Sequence, residues 1–413
     1  MANYDWIVVG GGITGAALSY ELARQGGSVL LLEKEALPAS ATRYSYGGLA
    51  HWAGKTPLLK ALGEEGIQRY RTLSEELEAD IHFRELDLLL LVAPGYSVET
   101  VEADLADCRI PPQRIPVETA CELEPLLQPA ALEGVLWAQH GHIHPWLTTL
   151  AFRRAFQRLG GSLLLQSVTG LRRQGQRVTG VETPADFHGA AQVVVCAGGW
   201  TRALLRQAGI YAPIYFTHAE SLELEPAAVR LRTIVMSAPV QRLELERQAA
   251  HPDRDPLWDK PGQELCPPIL DVGILQFLDG SIRLGQISRV LTDPQAQLDA
   301  TSGEAQIRAQ VGRYLPQVAH LPGRWCHCLV AFSGDHYPLV GSLPGWEGLQ
   351  LFSGFSSPLA ILPALARRFA QQAYGQADEW LPSLSPARFT APSPPAPSLE
   401  GERTQNCLSP LLR

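Results

Sequence analysis

The sequence predicts an α/β protein interleaved with an α+β second domain built on antiparallel sheet, and three observations carry that reading. Residues 1–35 spell strand, tight turn, helix and strand, a βαβ unit. Residues 191–197 are apolar apart from Gln192 and show no alternation, as in a strand buried on both faces of a parallel sheet. From about residue 211 to 289 the pattern changes to alternating strands, and Asp279-Gly280 between residues 274–278 and 281–285 is a hairpin turn signal. At 413 residues, 46% hydrophobic and 18% charged, the chain has enough apolar surface for more than one core, hence two domains.

In chain order, the first unit places strand at 6–9, turn at 10–15, helix at 16–25 and strand at 28–33. A helix follows over about 57–78, with charged residues on one face, then an apolar strand at 86–92. Another helix spans 148–159, with strands at 162–168 and 177–182 ahead of the buried run at 191–197, which ends in Gly198-Gly199. Residues 249–268, rich in Pro, Asp and His, are too long for a turn and read as a lid. Residues 383–413 are Pro- and Ser-rich and read as a disordered tail.

Composition narrows the function classes. With 34 Lys plus Arg against 42 Asp plus Glu the net charge is −8, and no basic stripe is present, which argues against nucleic acid and for a small-molecule partner. The longest apolar runs, 88–93 and 193–197, fall far short of the roughly 18 residues of a membrane span. The N-terminus has no basic flank or apolar signal core, so a cytoplasmic location is expected. Seven scattered cysteines fit a reducing compartment. Cys326 and Cys328 flank His327, but successive strand residues face opposite ways, so the three cannot easily share one ion and no metal site is predicted.

Gly10-Gly11-Gly12-Ile13-Thr14-Gly15 has the spacing G-x-G-x-x-G at the strand-to-helix turn. Gly10 permits the tight turn, Gly12 lets backbone approach a pyrophosphate, and Gly15 allows close packing of helix on strand. A diphosphate would sit on the helix N-terminus, where N–H groups and the helix dipole favour negative charge. Glu33 ends the second strand at the distance expected of a ribose partner. The motif makes the first domain Rossmann-like and leaves open a flavin or a nicotinamide dinucleotide.

Downstream motifs decide between them. Residues 39–42 followed by Ser45-Tyr46-Gly47-Gly48-Leu49, the stretch Glu122 to Leu127 with Gly141 to Pro145, the run Val193 to Trp200 ending in A-G-x-W, and Asp335 to Gly341 followed by Leu351 to Ser357 together resemble the FAD-dependent oxidoreductases that include D-amino-acid oxidase, glycine oxidase and sarcosine oxidase. The resemblance covers most of residues 1–375 and implies FAD as cofactor. It implies a discontinuous FAD-binding domain of residues 1–80, 140–205 and 328–382, and a substrate domain of 81–139 and 206–327. Implied cofactor residues are Gly10, Gly12, Ile13, Thr14, Gly15, Glu33, Lys34, Ser40, Thr42, Ser45, Gly47, Gly48, Leu49, Val168, Ala197, Gly198, Trp200, Gly354, Phe355, Ser356 and Ser357. The loop at 45–49 would end beside the flavin ring, and the loop at 354–357 would meet its pyrimidine side, where a positive dipole stabilises the reduced ring.

The implied reaction is oxidation of a small amine or amino acid of the glycine, sarcosine or D-amino-acid type, with oxygen or a quinone-type carrier as electron acceptor. Such chemistry asks the protein to position and to exclude water, with no acid–base triad. His51 and Lys55, just past the flavin-side loop, and Arg283 and Arg289, on the hairpin strand, are the candidate substrate residues. The family's carboxylate-binding arginine is replaced, with Val330 at the aligned position. Tyr215, Thr217 and His218 are candidate cavity liners, and Lys55 and Lys260 candidate oxygen activators. Cys328 stands near the position at which sarcosine oxidases attach FAD through sulfur, and equally reads as a small buried residue. Two other readings are a 2-hydroxy-acid dehydrogenase, for which His51 or His218 would serve as base, and a catalytically silent flavin-binding subunit.

Overall fold

The computed structural model describes residues 3–37, 39–238 and 240–389. Two sheets organise them. The first has eight strands, with a path Leu339–Ser342, Leu349–Ser353, Phe187–Val195, Asn3–Val9, Val29–Glu33, Ser162–Leu165; the meander Gly170–Gln174, Arg177–Glu182 joins it through Phe187–Val195. Its centre is parallel: Ile7 stands beside Leu30 on one side and Val193 on the other. This is why the run at 191–197 lacks alternation. Trp6 and Val8 enter a core with helices Ile13–Arg24, Pro57–Glu76, Pro145–Arg158 and Leu362–Ala373, while Ile7 and Val9 enter a second core with Val178, Val181, Leu204 and Leu205. Both faces of the sheet are therefore dry.

The helix starts are encoded locally. The Thr56 hydroxyl accepts from Leu59 N–H with Pro57 in the first turn, and the His144 ring accepts from Leu147 N–H ahead of Pro145. Arg69 then ties three helices together: its guanidinium donates to the Pro363 carbonyl at 2.7 Å and pairs with Glu21 and Glu76.

The second sheet has nine strands in the order Gly323–Ser333, Ile214–Leu224, Ile282–Leu291, Glu264–Gln276, Ile234–Ser237, Arg84–Val92, Gly134–His142, Gly48–Leu49, with Gln113–Ile115 paired to Gly134–His142. The hairpin signal is matched: Glu264–Gln276 and Ile282–Leu291 pair antiparallel around Asp279-Gly280. One face packs Leu222, Leu284 and Ile274 under helix Ala300–Tyr314, whose N-terminus Asp299 caps. The opposite face carries Leu88, Leu90, Ile234 and Leu275 and looks toward the first sheet's strand ends.

Two expectations are corrected here. Residues 249–268 are not a free lid. Helix Gln241–Ala249 and a 3-10 turn Pro252–Leu257 lead to Trp258, 4% exposed, against Tyr215 and Phe216, and Arg202 pairs with Asp255 and Asp259 at 3.2 and 3.1 Å. Polarity marked the segment as a loop; one buried tryptophan and an arginine of helix Thr201–Gln207 hold it down. The order also continues past residue 383: Leu384 is fully buried and Arg388 pairs with Asp335 at 2.7 Å, so the composition of the tail misplaced its start. The rest of that tail, 390–413, lies outside the described residues.

Candidate active site

Between the sheets lies a cavity of about 1480 Å³. Its first end is the glycine turn. Gly10 has φ +100°, and a Cβ there would meet the Cys196 carbonyl oxygen at 2.6 Å; a Cβ on Gly15 would stand 1.9 Å from the Gly10 carbonyl oxygen. A Cβ on Gly12 meets only the Thr42 hydroxyl, at 3.1 Å, so backbone there is open to the cavity. Glu33 braces the turn: its Oε2 accepts from Gly11 N–H at 2.8 Å and its Oε1 from Glu35 N–H at 3.2 Å, while Arg153 donates to the Gly11 carbonyl. Arg153 had no sequence signal, because the bond spans 142 residues. Lys34 lies over the Trp200 ring at 5.1 Å.

Of the residues expected at the cofactor, Gly10, Gly12, Ile13, Thr14, Glu33, Lys34, Ser40, Thr42, Ser45, Gly48, Val168, Ala197, Gly198, Trp200, Gly354, Phe355, Ser356 and Ser357 line this one cavity. Gly15, Gly47 and Leu49 do not; Gly15 packs helix on strand, Gly47 turns at φ +76°, and Leu49 is buried in the core.

The expected substrate residues are displaced. His51 is buried with its Nδ1 2.7 Å from Arg109, and burial with that guanidinium lowers it to about 4. Lys55 is exposed and donates to the Asp104 carbonyl at 2.5 Å. Arg289 pairs with the fully buried Glu220 at 2.6 Å. Arg283 is buried, 3.4 Å from Glu223 and over the Tyr44 ring at 5.5 Å. None of the four lines the cavity. Nor do Lys260, Tyr215, Thr217 or His218: Tyr215 bonds Asp255, and His218 stacks on His327 at 5.1 Å. On the Ile214–Leu224 strand it is Ala219 and Ser221 that reach the cavity. Alternation left the facing of this strand open, and the partner strands decide it.

The far wall is instead the apolar sheet face, with Leu88, Leu90, Ile234, Met236 and Leu275 beside Ala50 and Trp52. Polar side chains share the cavity with it, among them His140, Arg242 and Asp271. His140 accepts at Nδ1 from Trp52 Nε1–H at 2.9 Å. Arg242 donates to the Ser356 carbonyl and hydroxyl and to Glu246 at 3.1, 2.9 and 2.9 Å, and to the Ser357 hydroxyl at 3.2 Å. Asp271 accepts from Gln241 and Arg242 N–H, both at 3.1 Å, at the start of helix Gln241–Ala249. Burial works to raise the Glu246 carboxyl, but Arg242, His336 and Ser356 outweigh it and hold it below the usual range. Cys328 and Val330 line the cavity, and burial pushes the Cys328 thiol up to about 12. Sequence reading missed His140 and Arg242; the first sits in a run of alternate histidines, 140, 142 and 144, which was a usable signal, whereas the second stands in an ordinary charged helix.

Known proteins share this fold and part of this sequence. The chain is 30% identical over 234 residues to 4-methylaminobutanoate oxidase (formaldehyde-forming) of Paenarthrobacter nicotinovorans, covering 54% of this chain and 28% of that one. It is 29% identical over 214 residues to human peroxisomal sarcosine oxidase, covering 51% and 54%, and 24% identical over 406 residues to glycine oxidase of Pseudomonas aeruginosa, covering 93% and 97%. The chain thus spans about a quarter to a half of the length of the first curated relatives it matches. Among solved structures, glycine oxidase from Geobacillus kaustophilus shares the fold with a TM-score of 0.77 at 19% identity, covering 94% of this chain and 99% of that one. L-proline dehydrogenase from P. horikoshii does so at 0.76 and 19%, covering 94% and 98%. The FAD dependent oxidoreductase family model matches residues 5–372, and the chain belongs to that family.

Proposed function

We propose that this protein oxidises the carbon–nitrogen bond of a small amine or amino acid: the carbon gives up a hydride, the nitrogen loses a proton, and water hydrolyses the resulting imine to a carbonyl compound. The supporting observation is the apolar sheet face on the cavity, Leu88, Leu90, Ile234, Met236 and Leu275, opposite the glycine turn of a chain that matches the FAD dependent oxidoreductase family over residues 5–372. Bound FAD supplies the two-electron acceptor. Gly10, Gly12, Thr42 and Glu33 would hold its nucleotide end, and the loops at 45–48 and 354–357 its ring end. Leu88, Leu90, Ile234 and Met236 exclude water, which favours the neutral amine whose lone pair assists departure of the hydride.

For a substrate bearing a carboxylate, Arg242 is the matching partner. Lys34 and Arg242 are the Lys or Arg residues that line the cavity among the described residues, and Lys34 stands at the nucleotide end. The names of the glycine, sarcosine and 4-methylaminobutanoate oxidases support a carboxylate-bearing amine. Because Lys55 and Lys260 lie outside the cavity, we read a quinone-type carrier ahead of oxygen as acceptor. The hydroxy-acid reading loses both of its bases, His51 and His218, to positions outside the cavity. The six described cysteines are free thiols, which supports a reducing, cytoplasmic location. Among the described residues no helix is long and apolar enough to cross a membrane.

The test is anaerobic addition of glycine, sarcosine, proline, D-amino acids, simple N-methylamines and 2-hydroxy acids to the yellow protein. Bleaching by an amine with release of ammonia or a smaller amine is expected. Bleaching by hydroxy acids alone overturns the reading, and no bleaching by any of them points to the silent subunit. Slow return of colour in air identifies a dehydrogenase.

A further inference from the structure

His140 sits on strand Gly134–His142, is 3% exposed, and lines the cavity. Its Nδ1 faces the Trp52 indole N–H at 2.9 Å. An indole nitrogen only donates, so Nδ1 must hold a lone pair, and the neutral ring must carry its proton on Nε2. The ring stays neutral, because burial, helped by His51, lowers it to about 3. The neighbouring His142 is neutral as well, desolvated and accepting from Arg84 Nε–H. On its other side the ring meets Gly48: a Cβ there would stand 2.7 Å from His140 Nε2. No protein acceptor is paired with Nε2 among the described residues, and the cavity that His140 lines also carries Leu88, Leu90, Ile234 and Met236. A fixed N–H thus stands at the cavity wall against Gly48, the end of the loop that turns at Gly47.

We propose that His140 is a tautomer-locked hydrogen-bond donor to the ring of bound FAD, with Trp52 as the positioning residue that fixes the lock. The donor stabilises the electron density the ring gains on reduction, and it neither takes nor gives a proton. This rests on the FAD assignment and not on the choice of substrate.

Three measurements on the holoenzyme test it, with the flavin spectrum reporting cofactor loading throughout. In the ¹⁵N-histidine spectrum His140 is expected to keep Nε2 protonated and Nδ1 bare from pH 5 to 8; a proton on Nδ1, or titration in that range, overturns the assignment. Without substrate, His140→Phe is expected to lower the flavin midpoint potential and weaken sulfite addition to the oxidised ring about tenfold, the effect of one lost hydrogen bond, with partial recovery in His140→Asn. An unchanged potential and sulfite affinity in flavin-loaded His140→Phe overturns the proposal, and a change confined to substrate KM reassigns the donor to the substrate. Should His140→Phe fail to fold, Trp52→Phe keeps the histidine and frees Nδ1; the ¹⁵N spectrum should then show both neutral tautomers and the flavin potential should fall part of the way, and an unchanged tautomer and potential count against the lock.

Discussion

At the scale of single residues, close approach and burial decide what the site can hold. The helix N-terminus reaches the cavity only because Gly15 has no side chain, and a Cβ there would overlap the Gly10 carbonyl oxygen at 1.9 Å. Gly15→Ala must push helix from strand, so we expect loss of about 1–3 kcal/mol in stability and a protein purified largely colourless; denaturant midpoints and the 450 nm region of the spectrum check both, and a fully yellow variant of ordinary stability would contradict the packing. Cys328 makes a second case. A thiol pushed up to about 12 by burial is a poor nucleophile at neutral pH. We therefore expect acid precipitation to release the flavin into the supernatant and Cys328→Ala to stay yellow; flavin that remains on the precipitated chain, and is lost in the variant, would show a thioether.

At the scale of elements, helix Gln241–Ala249 joins the two sheets. Arg242 reaches from it to the carbonyl and hydroxyl of Ser356 on a loop of the first sheet, and the fully buried Glu246 holds both partners. Arg242→Gln leaves that carboxylate without its cation, which we expect to destabilise the fold by about 3 kcal/mol and to raise KM for carboxylate-bearing substrates at least tenfold while sparing amines without one. Equal loss on both substrate types would remove Arg242 from substrate recognition. This helix was invisible in the sequence, since its nine residues, QRLELERQA, bury only Leu245, Glu246 and Ala249 and lack a clear apolar stripe. The βαβ unit and the Asp279-Gly280 hairpin were legible, because their turns need particular residues at fixed spacing. The substrate wall was not. Leu88 and Leu90 come next to Ile234 and Met236 by a parallel pairing across 146 residues, and no local pattern tells which sheet face such leucines take. The same limit misplaced His51, whose closeness in sequence to Gly48 says nothing of the turn that aims it at Arg109.

At the scale of the whole molecule, the cavity and its supports bury histidines as neutral rings, and this couples stability to pH. His51 and His218 are lowered to about 4 and His140 to about 3, mainly by burial, and His142 lies well below its ordinary value for the same reason. In the unfolded chain each would titrate near 6.5. Above that value both states are neutral and the stability is fully present. As pH falls below it, the unfolded chain binds protons that the folded protein refuses, and stability is lost until the folded values are reached. Each ring contributes up to about 1.4 kcal/mol per pH unit in this window, about 5 kcal/mol per unit for four together. Against a total stability of about 5–15 kcal/mol, the apoprotein should unfold near about pH 5, ahead of protonation of its paired carboxylates. Urea midpoints measured from pH 7.5 to 4.5 should fall steeply below 6.5. His142→Gln, which keeps a side chain able to accept from Arg84 and donate to the Tyr46 carbonyl as His142 does, should shallow that slope by about one proton's worth; a flat profile down to pH 4.5 would mean these rings are charged in the folded state and the cavity wall is wetter than its packing indicates.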